Sequence, residues 1–366
     1  MSLPALSNDS YALHFPDNPN LVPITEPPKD GRSLDLSDWA TFKIGIAEYP
    51  SGPTGSTVFI FSGGNAICYP DVRGGSPGTL MAATGGKTDA IVLTGGSCFG
   101  LEAATGVTAE LLAQQGYTAD WQTIPITRSA VVYDLSARPN TIYPDKALGR
   151  AAVRAARPGV FPMGRRGAGG AVSVGKMDGR RDMAEWAGQG GAYRNFNGVK
   201  IAVFTVVNAV GVIVDRSGTV VRGHFDAKNN RRLSLEEYST AYASNSTTES
   251  VHPRPDGTPR NTTITLFVTN AKFESAFAVE AFKNVVKSVH ASMARAIQPF
   301  HLLTDGDTFF GVTTNELDVE WTDLPPPAGD NSGRVKMSTQ VLSYLGGELA
   351  WDAVLNSFDE RSSTVG

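Results

Sequence analysis

The chain has 366 residues, 41% hydrophobic and 19% charged, the balance of a folded globular protein and not of a disordered one. Its 32 Lys and Arg against 36 Asp and Glu leave a charge of −4, without the basic field or stripe that nucleic-acid binding needs, so no nucleic-acid partner is expected. Two cysteines, Cys68 and Cys98, exclude a disulfide scaffold, and five scattered histidines without HExxH or CxxC spacing argue against a metal site.

Residues 1–38 are polar and punctuated by Pro4, Pro16, Pro19, Pro23, Pro27 and Pro28, which predicts an extended N-terminal arm. The start, Met1-Ser2-Leu3-Pro4, lacks the charged-then-apolar layout of a signal peptide, so the expected location is cytoplasmic. Beyond the arm, Thr57–Phe61 and Ala90–Leu93 are apolar runs between paired glycines and read as strands joined by turns. A helix is predicted with Leu101, Ala104, Thr108 and Leu111 on one stripe and Gly116 as its stop. Another is predicted from Pro144 through Leu148 and Ala152 to Arg157-Pro158-Gly159. Ala171–Val174 and the long apolar run 201–214 read as strands, and 217–222 continues in the same fashion. The 201–214 run is too short to span a bilayer, so no membrane partner is expected.

Residues 244–260 differ in kind, being polar, turn-rich and nearly without apolar anchors, which predicts an exposed linker. The strand-like Ile264–Val268 follows at once. Val279, Phe282, Val286, Val289 and Met293 then recur at spacings that give one apolar helical face. A strand-like segment begins at Asp307, and a last helix carries Leu342, Leu345 and Leu349. Helices and strands mix without regular βαβ alternation, so the expected class is α/β with helix layers covering mixed sheet.

Three glycine- or aspartate-rich motifs suggest sites and fail on detail. Gly96-Ser97-Cys98-Phe99-Gly100 lacks the second glycine of a nucleophile elbow and reads as a turn entering a helix. Gly164–Gly170 fits neither phosphate-loop pattern and reads as a loop. Asp305-Gly306-Asp307 resembles the start of a calcium loop, but Phe309 and Phe310 stand where an oxygen ligand and a glycine are needed.

Polar residues in apolar settings are more telling. Asn208 lies inside the most apolar run, where an unpaired amide would cost a few kcal/mol. Lys176 directly follows Val174-Gly175. A structural hydrogen bond for Asn208 and a solvated strand end for Lys176 are the plain readings, and a functional role for each is the alternative. At Asn261-Thr262 the polar linker meets a threonine that opens a strand. Cleavage before Thr262 would give it a free α-amine beside its own hydroxyl. An amine with a pKa of ~7.7–8.0 can take the hydroxyl proton, so one residue would supply nucleophile and base. β-Branching restricts χ1 and holds the hydroxyl in place. Uncut, the same hydroxyl could attack the Asn261 carbonyl. A simple strand start is the other reading.

These residues carry a resemblance. Gly52–Gly55, Tyr143–Arg150, Gly211–Arg216, Asn261-Thr262-Thr263-Ile264, Val268-Thr269-Asn270, Ser292–His301 and Asp305–Thr308 resemble, in order, segments of the nylon-oligomer (6-aminohexanoate-oligomer) endohydrolases. These belong to the N-terminal-nucleophile family with the L-aminopeptidase/D-Ala-esterases and β-peptidyl aminopeptidases. The resemblance runs from about residue 40 to the end and implies a single αββα four-layer domain over 39–366. It also implies self-cleavage between Asn261 and Thr262 into chains 1–261 and 262–366.

By the same resemblance Thr262 is the nucleophile, Lys176 and Asn208 lie near it and the developing oxyanion, Asp305 and Asp307 orient it, and Tyr133 lines the substrate site. The implied activity is hydrolysis of linear aliphatic polyamide oligomers at internal bonds, with no cofactor or metal, by a homo-oligomer (tetramer or dimer). An aminopeptidase or esterase acting on small peptides, an acyltransferase, and an uncleaved binding protein are the rival expectations. Arg260 stands where the family pattern leads one to expect glycine, and a bulkier residue there restricts the turn before the junction.

Overall fold

Alternation along single strands separates two apolar layers. The computed structural model describes residues 21–26, 31–176, 182–245, 261–326 and 333–359. Within Thr54–Phe61, Phe59 and Phe61 face one core while Val58 and Ile60 face another, and Ile91 and Leu93 are opposed to Val92 in the same way. Successive side chains of a strand point to opposite faces, so strands apolar on both faces need cover on both. Here one face meets a second sheet and the other meets helices.

The strands of the two sheets are, in chain order, β1 (Val22–Ile24), β2 (Phe42–Tyr49), β3 (Thr54–Phe61), β4 (Ile67–Val72), β5 (Thr79–Leu80), β6 (Gly86–Lys87), β7 (Ala90–Thr94), β8 (Thr127–Val131), β9 (Gln189–Phe196), β10 (Val199–Asn208), β11 (Thr262–Ala271) and β12 (Thr308–Leu317). The helices are α1 (Leu101–Gln114), α2 (Lys146–Ala155), α3 (Leu235–Asn245), α4 (Ala276–Ser292) and α5 (Thr339–Leu355). The first sheet has the order β1-β2-β3-β7-β8-β5, the second β9-β10-β11-β12-β4-β6. Between them Phe204 packs against Phe59 and Phe161, with ring centroids 4.7 and 4.9 Å apart. Helices α1 and α2 cover the outer face of the first sheet, where Ala104, Val107, Leu148 and Ala152 meet Val58 and Val92. Helices α4 and α5 cover the second through Phe282, Val286, Val289, Leu342, Leu345 and Leu349. The fold is therefore an αββα sandwich.

Several local expectations change. The buried face of α1 is Ala103, Ala104, Gly106, Val107 and Glu110, so of the expected Leu101/Ala104/Thr108/Leu111 stripe only Ala104 is fully buried, with Leu111 packed at the margin. Small residues win because α2 crosses closely: a Cβ on Gly149 would lie 2.0 Å from Ala103 O. Helix α2 starts at Lys146, since Asp145 caps it by accepting from Leu148 N. The apolar run 201–214 is two strands in different sheets, β10 and Val212–Val214. It breaks after Asn208 because the backbone of 210–211 turns to pair with Gly175 and Lys176.

Helix α3 was not expected; it takes in residues 244–245 of the linker expected over 244–260, whose remaining residues 246–260, with Arg260, lie outside the described residues. Of the expected arm, 1–20 and 27–30 also lie outside, while Val22–Ile24 pairs antiparallel with Ile46–Glu48 and Leu36 is buried. Among the described residues, no helix is long and apolar enough to cross a membrane.

Candidate active site

Pairing across the second sheet brings the distant polar residues together. Thr262 opens β11, and its partner on β10 is Asn208, so the junction threonine faces the buried asparagine across an antiparallel rung. On the other side β11 runs parallel to β12, and that ladder extends past both strands as a bridge between Asn261 and Asp305. Thr262 is 4% exposed. Its Oγ1 donates to the Asn261 carbonyl oxygen at 2.5 Å, and the Gly306 N–H donates to the same oxygen at 2.8 Å.

The buried amide is well used. Asn208 Oδ1 accepts from Lys176 Nζ at 2.7 Å and from Ser173 N at 3.2 Å, while Nδ2 donates to Tyr133 O at 2.9 Å. Lys176 Nζ also donates to Asn208 O at 3.1 Å. The structural reading of Asn208 therefore holds, and Lys176 is tied to it rather than solvated as a mere strand end. Tyr133 is half-buried just after β8 and meets Asn208 through its main-chain carbonyl. The next residue fixes that loop: Asp134 accepts from Thr54 Oγ1 at 2.6 Å, Gly96 N at 2.9 Å and Arg138 at 2.9 Å.

The two aspartates have different work. Asp307 Oδ1 accepts from Thr263 N at 2.7 Å, next to the junction, and Oδ2 accepts from His301 N at 3.0 Å. Asp305 turns Oδ2 to Leu302 N at 2.8 Å, and its buried Oδ1 has no hydrogen-bond partner among the described residues. Burial, reinforced by the Asp307 charge, raises the Asp305 pKa to about 7 against the opposing pull of Leu302 N–H and the Lys176 ammonium. A carboxyl so placed can hold or release a proton near neutrality.

Three residues around the aspartates were not singled out from sequence: His301, His290 and Gly306. His301 pairs with Asp307 Oδ2 through Nδ1 at 3.0 Å as well as through its N–H. Behind it stands His290, whose Nδ1 lies 2.9 Å from Asp71. Gly306 contributes only a backbone N–H, which residue type does not announce. His301 does fall within the Ser292–His301 motif, though its spacing to the aspartates carries no signal.

The two glycine-rich motifs that were discounted are plain structure. Gly96 and Ser97 adopt left-handed conformations and lead through a short 3₁₀ turn into α1. In the 164–170 loop the Gly167 N–H donates to Glu48 at 2.7 Å and Arg165 lies 4.0 Å over Trp186. A carboxylate thus already takes that N–H. Among the described residues no group of three or more His, Cys, Asp or Glu could hold a metal ion. A cleft of about 520 Å³ beside Lys43, Gln114 and Arg154 includes none of the junction residues.

Comparison with known proteins bears on the family and the fold. The chain is 43% identical over 330 residues to a 6-aminohexanoate-oligomer endohydrolase of Agromyces sp. (strain KY5R), covering 89% of this chain and 86% of that one. It is 41% identical over 341 residues to a protein of the same name from Kocuria sp. (strain KY2), covering 92% and 89%. The L-aminopeptidase D-Ala-esterase/amidase of Ochrobactrum anthropi, described as a variant of the Ntn hydrolase fold, superposes with a TM-score of 0.57 at 14% identity over 93% of each chain. Residues 36–358 match the model of Peptidase family S58, and the chain, an Ntn-type αββα hydrolase, belongs to that family.

Proposed function

We propose that the protein hydrolyses linear aliphatic polyamide oligomers of the nylon-6 type (6-aminohexanoate) at internal amide bonds, through a threonyl ester on Thr262 formed after self-cleavage between Asn261 and Thr262. The observation that carries this reading is the Thr262 hydroxyl, buried at a strand start and 2.5 Å from the carbonyl oxygen of its own junction. The names of the two close relatives support the substrate class.

In this mechanism the α-amine freed by self-cleavage takes the Oγ1 proton as Oγ1 attacks the substrate carbonyl. Asn208 and neighbouring N–H groups stabilise the oxyanion, and the amine returns the proton to the leaving nitrogen. Water then hydrolyses the ester and restores the hydroxyl. Lys176 holds the Asn208 side chain in register. Asp307 positions the start of β11 through Thr263 N, and Asp305 carries the proton during self-cleavage. Tyr133 lines the approach. We place the enzyme in the cytoplasm as a homo-oligomer, a tetramer or dimer, in one 39–366 domain cut into chains 1–261 and 262–366.

Intact mass under denaturing conditions, followed by incubation with aminohexanoate oligomers and short peptides, tests this. The expected result is two species whose masses sum to that of the uncut chain plus one water, with Thr262 at the new N-terminus and internal cleavage of the oligomers. Removal of single N-terminal residues from peptides, with the oligomers untouched, would point instead to aminopeptidase activity. A persistent uncut chain would overturn the threonine reading.

A further inference from the structure

We propose that the backbone N–H of Gly306 is an oxyanion donor for the self-cleavage of this chain, and that glycine stands there to leave room for the nucleophile. This rests on the preceding reading of Thr262 and adds the group that stabilises its transition state. The Gly306 N–H already donates to the Asn261 carbonyl oxygen at 2.8 Å, the atom on which negative charge would develop. The same carbonyl receives the Thr262 hydroxyl at 2.5 Å, so nucleophile and donor converge on one peptide group. A Cβ on Gly306 would lie 2.7 Å from Thr262 Oγ1, closer than a side chain tolerates.

The donor is fixed before any reaction. Asp305 N donates to Leu302 O at 3.0 Å and Asp305 O accepts from Ser76 N at 2.9 Å. On the far side Thr308 Oγ1 donates to Gly306 O at 3.0 Å, and Asp307 O accepts from Arg73 N at 3.0 Å. The N–H is thus one further rung of the parallel β11–β12 ladder, held in place by the sheet. A donor that needs no reorganisation is worth most in a buried site.

In the step itself, Thr262 Oγ1 bonds to the Asn261 carbonyl carbon and gives its proton to the Asp305 carboxylate. The C=O π pair becomes an oxyanion on the Gly306 N–H. Collapse breaks the bond to the Thr262 nitrogen, which takes the proton from Asp305 and departs as the amine. The resulting Asn261–Thr262 ester is hydrolysed by water, leaving the Asn261 carboxylate and the free hydroxyl.

The test replaces Gly306 by glycolate in the full chain, by cell-free suppression, so that an ester oxygen stands in for the N–H and no Cβ is added. Self-cleavage followed by intact mass is expected to slow about 10²–10³-fold, the usual effect of losing one such donor. If the unaltered chain cuts and a folded glycolate chain cuts within about threefold of it, the donor role is overturned while the Thr262 reading stands. If the unaltered chain never cuts, it is the Thr262 reading that fails. Should circular dichroism show the glycolate chain misfolded, the crystal structure of the uncleaved Thr262→Ala precursor decides. Gly306 N within hydrogen-bond distance of Asn261 O supports the proposal, and a longer separation overturns it.

Discussion

Asp305 and Asp307 are separated by one glycine, yet the chain treats them differently. Every acceptor of Asp307 is used, whereas Asp305 Oδ1 is buried without a partner among the described residues. With its folded pKa raised from 3.8 to about 7, Asp305 binds a proton more tightly folded than unfolded. Its favourable contribution is therefore complete below about pH 4 and is lost as pH rises through about 7. Asparagine mimics the neutral acid. Asp305→Asn is expected to abolish that decline, making the precursor more stable above pH 7 by on the order of a few kcal/mol in thermal melts, while stopping self-cleavage. Asn208→Leu should do the opposite to stability: it removes three side-chain hydrogen bonds, one buried and two partly buried, leaves the buried Ser173 N–H unpaired at about 1–3 kcal/mol, and lowers the melting temperature accordingly. Asn208 and Lys176 stood out in the sequence as polar residues within or directly after an apolar strand, and Thr262 as the threonine where a polar linker meets a strand. Gly306 did not, since its contribution is main chain, and His301 did not, since only folding brings it to Asp307.

Elements show the same division between pattern and context. The Asn208 run looked continuous because apolarity cannot reveal where a strand changes its hydrogen-bonding partner. Helix α3 went unseen because Leu235–Asn245 offers no apolar periodicity. It is anchored by Tyr238 stacked 3.4 Å from His224, whose two ring nitrogens are buried without hydrogen-bond partners among the described residues. Burial lowers the His224 pKa from 6.5 to about 4, so the neutral ring contributes stability above about pH 6.5 that is lost as pH falls toward 4. His224→Phe keeps a ring and drops the titration, so the loss of stability between pH 6.5 and 4 is expected to shrink by one proton's worth in urea titrations. Across the molecule, Gly149→Val would drive a side chain into Ala103 O and is expected to cost about 1–3 kcal/mol or more, read as a lower urea midpoint.

At the scale of the whole molecule, the layers could be anticipated only coarsely from the residues themselves. Helix covering mixed sheet follows from composition and periodicity. The order β9-β10-β11-β12-β4-β6 does not, because it joins strands from both ends of the chain, and the αββα expectation came through the resemblance. That order has a mechanical result. Strand β11 lies between β10, from before the junction, and β12, from after it, and all ten of its residues are buried. Once cut, the two chains are expected to co-elute without denaturant and to melt in one transition, as size exclusion and calorimetry would report. Residues 262–366 made alone are expected to stay unfolded by circular dichroism.

The depth of Thr262 bears on how such a cut protein would age in a cell. A terminus made by an outside protease is exposed by the act of cutting, and so can be trimmed, acetylated or read as a degradation signal. The α-amine proposed here would appear beneath the surface, at a residue 4% exposed and flanked by strands on both sides. Enzymes that survey chain ends could not grasp it, and it would meet only molecules small or slender enough to enter the site.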